Sequence, residues 1–286
     1  MDGVFVIDKP RGMTSHDVVD RIRRLLGTRR VGHGGTLDPD ATGVLLVGVG
    51  KATRFLQFAQ SASKRYMVAC RFGITTTTQD ASGDIEQRRD ASELTEGRVR
   101  DELDRFTGEI DQIPPMVSAV KIGGERLYKK ARRGEDVDRP ARRVVIHDLA
   151  LLSFSPGPEP EASFDVRCSG GTYVRTLVHD LGGRLGVGAF VFDLRRTEAG
   201  GFTLNDAVAL EDIALPDLLP LAEVVRDLPS VNASADEAVL VSHGRPLPAR
   251  GPAAEHAPVA VLCDGRLLGV YRRRGDMLHP DRVVPQ

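Results

Sequence analysis

The stretch Gly32-His33-Gly34-Gly35-Thr36-Leu37-Asp38-Pro39-Asp40-Ala41-Thr42-Gly43 constrains this chain more than any other. It is too rich in Gly and Pro to lie inside a helix or strand, and it runs straight into the apolar residues 44–49, Val-Leu-Leu-Val-Gly-Val, which read as a buried strand. A polar loop held by a rigid strand is a usual place for binding and chemistry, because the scaffold fixes the backbone while the side chains stay accessible. A buried strand implies a sheet with a real core, and 286 residues suffice for one large domain, or a large one and a small one. Hydrophobic residues at 41% and charged ones at 28% exclude wholesale disorder and fibrous repetition. The apolar run stops at Lys51, and Asp2, Asp8 and Lys9 interrupt the first ten residues, so neither a membrane span nor a signal peptide fits. Cys70, Cys168 and Cys263 are spread too widely for a zinc site or a disulfide framework, which makes a reducing cytoplasm the expected location. The Gly-Gly pairs lack the following Lys-Ser/Thr and the dinucleotide spacing, so no nucleotide cofactor and no metal is expected.

Residues 4–8 read as a strand ended by Lys9-Pro10-Arg11-Gly12. A helix follows, with Thr14 or Ser15 as its cap, Val18, Val19, Ile22, Leu25 and Leu26 at helical spacing, and Gly27 after its end. Residues 51–60 pattern as a helix. Residues 64–72 alternate, so that Tyr66, Val68, Cys70 and Phe72 share one side of a strand. Residues 80–84 form a turn, and an acidic helix around 96–106 precedes Ile113-Pro114-Pro115 and a strand at 118–122. Strands at 144–154 and 163–168 lead to Ser169-Gly170-Gly171-Thr172-Tyr173, a helix over 174–185 and a strand at 190–195. Residues 206–228, acidic and rich in Leu and Pro, read as a helical tether. Beyond them, 258–263 and 267–272 form a hairpin around Asp264-Gly265. The irregular alternation predicts an α+β (mixed α/β) fold: a large, mostly antiparallel sheet flanked by helices over residues 1–227, and a small β-rich unit over 228–286.

The formal net charge of -1 hides a lopsided distribution. Residues 1–74 hold 12 Lys/Arg against 6 Asp/Glu, and residues 121–143 hold 9 against 4. Residues 75–111 hold 5 against 11, and residues 198–237 hold 1 against 9. Segregation of this kind suits a protein with one face toward a polyanion, although solvated helix faces give the same counts. Within the insertion at 112–143, Arg126, Lys129, Lys130, Arg132 and Arg133 surround Leu127 and Tyr128, interleaving positive charge with an aromatic ring as an RNA grip would.

The loop at 32–43 resembles the catalytic motif of the TruB family of tRNA pseudouridine-55 synthases. The resemblance extends in order through Lys64-Arg65-Tyr66, Ile113-Pro114-Pro115-Met116-Val117-Ser118-Ala119-Val120-Lys121, Arg126-Leu127-Tyr128, Gly171-Thr172-Tyr173-Val174-Arg175-Thr176 and Leu194-Arg195-Arg196. It implies a cofactor-free isomerisation of a T-loop uridine in tRNA, with Asp38 as nucleophile or base, acting at the ribose C1′, at the base C6 or through a glycal. Arg175 then keeps the Asp38 carboxylate charged, and Tyr66 stacks on the base and is placed to remove the C5 proton. Tyr173 and Leu194 line the pocket, and His33 contacts RNA where the target base flips out. Lys9 and Lys64 make phosphate contacts or solvate a rim, and Arg126, Lys129 and Lys130 grip the T arm. The insertion beginning Gly124-Glu125-Arg126 looks like the stand-alone bacterial type, which implies a monomer with no guide RNA and no obligate protein partner. The tail resembles a PUA-like RNA-binding domain. Taken singly, each of these residues has a plainer reading as a turn former, core residue or surface cation, and a non-catalytic tRNA-binding module or an RNA base-exchange glycosylase are the rival functions.

Overall fold

The computed structural model describes residues 1–118, 121–122, 124–127, 133, 135, 137–251 and 253–285, with backbone alone at 121, 122 and 126. The first unit runs through β1 (Gly3–Lys9), α1 (Ser15–Leu26), β2 (Val31–His33), β3 (Thr42–Val49), α2 (Leu56–Ser61), β4 (Lys64–Phe72), α3 (Glu96–Leu103), β5 (Gly108–Gln112), β6 (Arg142–Ser155), β7 (Glu161–Cys168), α4 (Val174–Arg184) and β8 (Ala189–Ala199). Its strands line up as β1-β3-β8-β4-β7-β6-β5, with β2 also paired to β3. Every pair in that row is antiparallel except β3 with β8, where Thr42 and Gly43 lie opposite Arg195 and Arg196. The mostly antiparallel sheet flanked by helices is therefore as the sequence predicts.

Local chemistry accounts for the elements that carry the site. At the start of α1 the Thr14 side chain accepts from the Asp17 N–H while the Asp17 carboxylate accepts from the Thr14 N–H, and Gly27 ends the helix at φ 61°. This helix buries Val18, Val19 and Ile22 against the sheet. Alternation in β1 and β3 sends Phe5, Ile7, Leu45 and Val47 into that core, and Val4, Val6, Val44 and Leu46 into a second core on the opposite face. At Gly43, with φ 100°, a Cβ would stand 2.1 Å from the Arg196 carbonyl oxygen, so only glycine lets β3 approach β8 where the loop enters the sheet.

The C-terminal unit comprises β9 (Ser230–Asn232), α5 (Ala235–Ser242), β10 (Leu247–Pro248), β11 (Pro258–Cys263), β12 (Arg266–Arg274) and β13 (Met277–Val283), ordered β9-β11-β12-β13-β10. The β11–β12 turn has Asp264 at φ 49° and Gly265 at φ 74°, the paired positive angles that an Asp-Gly hairpin supplies. Its Ala260, Leu267 and Val270 belong to the same second core as Val4 and Leu46.

Two expectations change. Residues 51–60 are not one helix: a 3-10 turn over Gly50–Arg54 gives way to the short α2. Residues 206–228 are not a helical tether, because Val208–Ala209 and Leu219–Pro220 pair with β1 and short 3-10 turns occupy Leu215–Asp217 and Leu221–Val225. Pro216 and Pro220 lack the N–H a helix needs, and the outer edge of β1 offers backbone groups that would otherwise go unpaired. In the basic insertion, Lys121–Ile122 pairs with Glu125–Arg126; Tyr128, Lys129, Lys130 and Arg132, and the side chain of Arg126, lie outside the described residues.

Candidate active site

The loop between β2 and β3 is pinned from below before any substrate is considered. Ser15, at the buried first turn of α1, exchanges hydrogen bonds with Leu37 through one hydroxyl, accepting from its N–H at 2.8 Å and donating to its carbonyl at 3.1 Å. The Lys9 ammonium donates to the carbonyls of Pro10, Met13 and Pro39 at 2.8, 2.6 and 3.0 Å, and the Gly12 N–H donates to Pro39 at 2.9 Å. From the other side the Arg196 guanidinium donates to the carbonyls of Val44, Thr36 and Gly35 at 2.7, 3.4 and 3.3 Å. Asp38, between Leu37 and Pro39, is thus carried on a backbone with little freedom to move.

Among the described residues its carboxylate meets a single guanidinium. Arg175, in the first turn of α4 and 4% exposed, reaches Asp38 through Nε at 2.9 Å and Nη2 at 3.2 Å, a fork that matches both carboxylate oxygens. The same side chain donates to the carbonyls of Thr78 and Val117 at 2.7 and 2.9 Å and meets Asp80 at 3.3 Å. Three segments far apart in sequence therefore converge on Arg175. The turn at 77–84 is itself ordered by Asp80, which accepts from Thr78 and Ser82 hydroxyls at 2.6 Å each. Burial pushes the Asp38 carboxyl above the ordinary aspartate range; Arg175 pulls it down, Asp80 pushes it up, and Lys9 pulls it down more weakly. The Asp38 side chain remains 37% exposed toward the cleft, so a molecule entering there meets it directly.

That cleft, about 390 Å³, is lined by His33, Asp38, Lys64, Tyr66, Tyr173, Arg175 and Leu194, seven of the residues singled out from the sequence. Tyr66 on β4 lies directly across from Arg196 on β8, and Leu194 lies two residues back along the same strand. Burial raises the Tyr66 phenol, with Arg196 opposing, so at rest it is a neutral hydroxyl and not a ready base. Tyr173, just before α4, is fixed by the buried Gln112 side chain, which accepts from its N–H at 3.0 Å and donates to its carbonyl at 3.2 Å. His33 borders this cleft, and its carbonyl accepts from the Gln60 amide at 3.3 Å.

Lys9 and Lys64 are not rim cations. Lys9 is fully buried and Lys64 is 6% exposed; the Lys64 ammonium donates to Gln60 and Ala62 carbonyls at 2.8 Å each. Loss of water lowers both to about 8. They hold loops, and a phosphate could not reach them without displacing backbone acceptors.

The family model for TruB family pseudouridylate synthases (N-terminal domain) matches residues 23–174, and that for the tRNA pseudouridylate synthase B C-terminal domain matches 175–219. This chain belongs to the TruB family. TruB relatives include tRNA pseudouridine synthase B of Symbiobacterium thermophilum, 52% identical over 85% of this chain and 82% of that one. The enzyme of the same name from Thermobifida fusca is 45% identical over 98% and 97%. Among solved structures, the crystal structure of a Cbf5-Nop10-Gar1 complex matches with a TM-score of 0.77 at 28% identity, over 99% of this chain and 85% of that one.

Sequence reasoning assigned Arg196, Asp80 and Ser15 no role in the site, although Arg196 falls in the matched Leu194-Arg195-Arg196 stretch, Asp80 in the turn and Ser15 at the helix start. Arg196 was detectable from spacing, since on a strand it shares a face with Leu194. Asp80 and Ser15 act through a neighbouring loop and a backbone amide, which no local pattern records. Among the described residues, no cluster of His, Cys, Asp and Glu could hold a metal ion, and no helix is long and apolar enough to cross a membrane.

Proposed function

We propose that this chain isomerises one uridine of tRNA, position 55 in the T loop, to pseudouridine without a cofactor, using Asp38 as nucleophile or base. The observation that carries the reading is the forked Asp38–Arg175 pair opening into a cleft flanked by Tyr66, Tyr173 and Leu194. The relatives named tRNA pseudouridine synthase B support the substrate.

In this reaction the N1–C1′ bond breaks and a C5–C1′ bond forms. C5 loses a proton and N1 gains one, so mass is unchanged. The uridine must leave its stack to reach the carboxylate, and His33 at the cleft border fills space near the vacated position. The Asp38 carboxylate attacks C1′ or C6, or takes a ribose proton, and Arg175 holds it in line while sparing it the cost of an unpaired charge. Tyr66 and Tyr173 offer faces for the uracil while it turns. With its phenol neutral, Tyr66 positions the base, and it accepts the C5 proton only if substrate and Arg196 lower it further.

The chain acts without guide RNA or an obligate partner, as a monomer in the cytoplasm, and residues 228–286 form a PUA-like RNA-binding domain beside a catalytic domain at 1–227. Support for independence comes from relatives named as single enzymes that match nearly the full chain. The test is incubation of a tRNA transcript with the purified protein, followed by carbodiimide mapping of the product. A mass-silent, carbodiimide-reactive residue is expected with the wild type and none with Asp38→Asn. Unchanged uridine with the wild type rejects the activity, and free uracil would mark a glycosylase.

A further inference from the structure

Many arginines among the described residues are neutralised by a neighbouring carboxylate: Arg65 by Asp165, Arg71 by Glu161, Arg226 by Glu223 and Arg272 by Asp281, among others. A second and wider groove, about 830 Å³, departs from that pattern. Its wall carries Arg29 and Arg30 from the turn before β2, Arg54 from the 3-10 turn after β3, and Arg282 from β13 of the C-terminal unit. All four are exposed, and none has a carboxylate partner among the described residues; the side-chain hydrogen bond of Arg282 goes to a backbone carbonyl. Among the described residues no Asp or Glu lines the groove, whose remaining polar walls include Gln57 and Gln60.

Two features tie this groove to the cleft. His33 and Gln60 line both, so the groove opens beside the mouth through which a nucleotide would reach Asp38. The Gln60 amide is also bonded to the His33 carbonyl, which fixes the ridge between the two spaces. Four like charges gathered without counter-charges repel one another, and a polyanion relieves that cost; guanidinium forks match phosphate oxygens better than ammonium groups do.

We propose that this groove is a phosphodiester track that holds the RNA backbone running away from the target uridine, and that Arg282 makes the C-terminal unit part of the same track. The inference rests on the proposed reaction for its substrate class. The track acts on affinity, through counterion release, and it reads no base.

The test is filter binding of a tRNA transcript across a salt series. The proteins are the wild type, Arg29→Gln, Arg30→Gln, Arg54→Gln, Arg282→Gln, their quadruple combination, and Arg98→Gln on exposed α3 as the control. Each groove substitution is expected to reduce the slope of log affinity against log salt by about 1, and the quadruple by about 3 to 4. Between 50 and 200 mM salt the wild type should then lose about 100-fold more affinity than the quadruple variant. Circular dichroism of each variant separates lost contacts from lost folding. Wild-type affinity and slope in a folded quadruple variant, or an equal change in Arg98→Gln, overturns the track. The two readings fail separately. A wild type that makes no pseudouridine while the groove variants lose salt dependence sinks the reaction and keeps the track. A wild type that converts uridine with variants of unaltered binding does the reverse.

Discussion

Replacing Arg175 by Lys retains the positive charge and removes the fork, so it separates the two contributions. The guanidinium makes five contacts with three nitrogens: both Asp38 oxygens at 2.9 and 3.2 Å, Asp80 at 3.3 Å, and the Thr78 and Val117 carbonyls at 2.7 and 2.9 Å. One ammonium has three protons on one atom and cannot span acceptors on three segments, so at least two contacts are lost. Charge-assisted bonds contribute about 1.5–3 kcal/mol each; the low end applies because Asp38 can re-solvate from the cleft, giving a loss of about 3 kcal/mol. Urea unfolding should show the midpoint falling by on the order of 1 M. Turnover of a tRNA transcript should fall about 100-fold, because the carboxylate loses its alignment while RNA-binding surfaces elsewhere are untouched. Arg175→Met removes the charge as well and should shift the acid limb of the rate profile to higher pH, since Arg175 is what draws the Asp38 carboxyl downward. If Arg175→Lys turns over within about threefold of wild type with an unchanged urea midpoint, the fork has no special role and charge alone suffices.

The wild-type rate should rise with pH through a midpoint above the usual aspartate range, because burial raises the Asp38 carboxyl and the ionised form is the reactive one; a midpoint at or below about 4 contradicts this. Gly43→Ala should cost about 3–5 kcal/mol in a thermal or urea melt, since φ 100° and a 2.1 Å approach to the Arg196 carbonyl force β3 from β8, and a variant of wild-type stability would refute the argument. Lys64 titrates near 8 when folded and about 10.5 when unfolded, so the unfolded chain binds more protons between those values and stability should gain with rising pH there. Comparing wild type with Lys64→Met at pH 8 and pH 10 checks this: the difference should move in favour of wild type, and a constant difference means Lys64 keeps an ordinary pKa. Arg196→Gln should impair turnover and loosen residues 35–37 in hydrogen exchange, and unchanged protection there would show that the guanidinium does not hold the loop.

What could be read in advance was what local chemistry decides. The Thr14 cap, the Gly27 stop, the alternation of Tyr66 to Phe72 and the Asp264-Gly265 turn each follow from a few neighbouring residues, and each is found. Tertiary partners decided the rest. Residues 206–228 carry helix-compatible Leu and Ala, yet the unpaired edge of β1 claims two short pieces as strands. Lys9 and Lys64 look like surface cations by type, but folded loops present carbonyls that no linear pattern announces. Order along the chain brought Asp38, Tyr66, Tyr173, Arg175 and Leu194 to one cleft, whereas Asp80 and Arg196 enter through backbone geometry and long-range pairing.

The core shared between the back of β1 and β3 and the residues Ala260, Leu267 and Val270 carries a warning for anyone trimming this chain. Cutting at the junction near residue 228 would strip cover from Val4, Val6 and Leu46, the very strands whose other ends support the aspartate loop. A shortened protein that proves inactive would then report a collapsed foundation as readily as a missing RNA contact, so point substitutions are the sounder way to ask what the tail does.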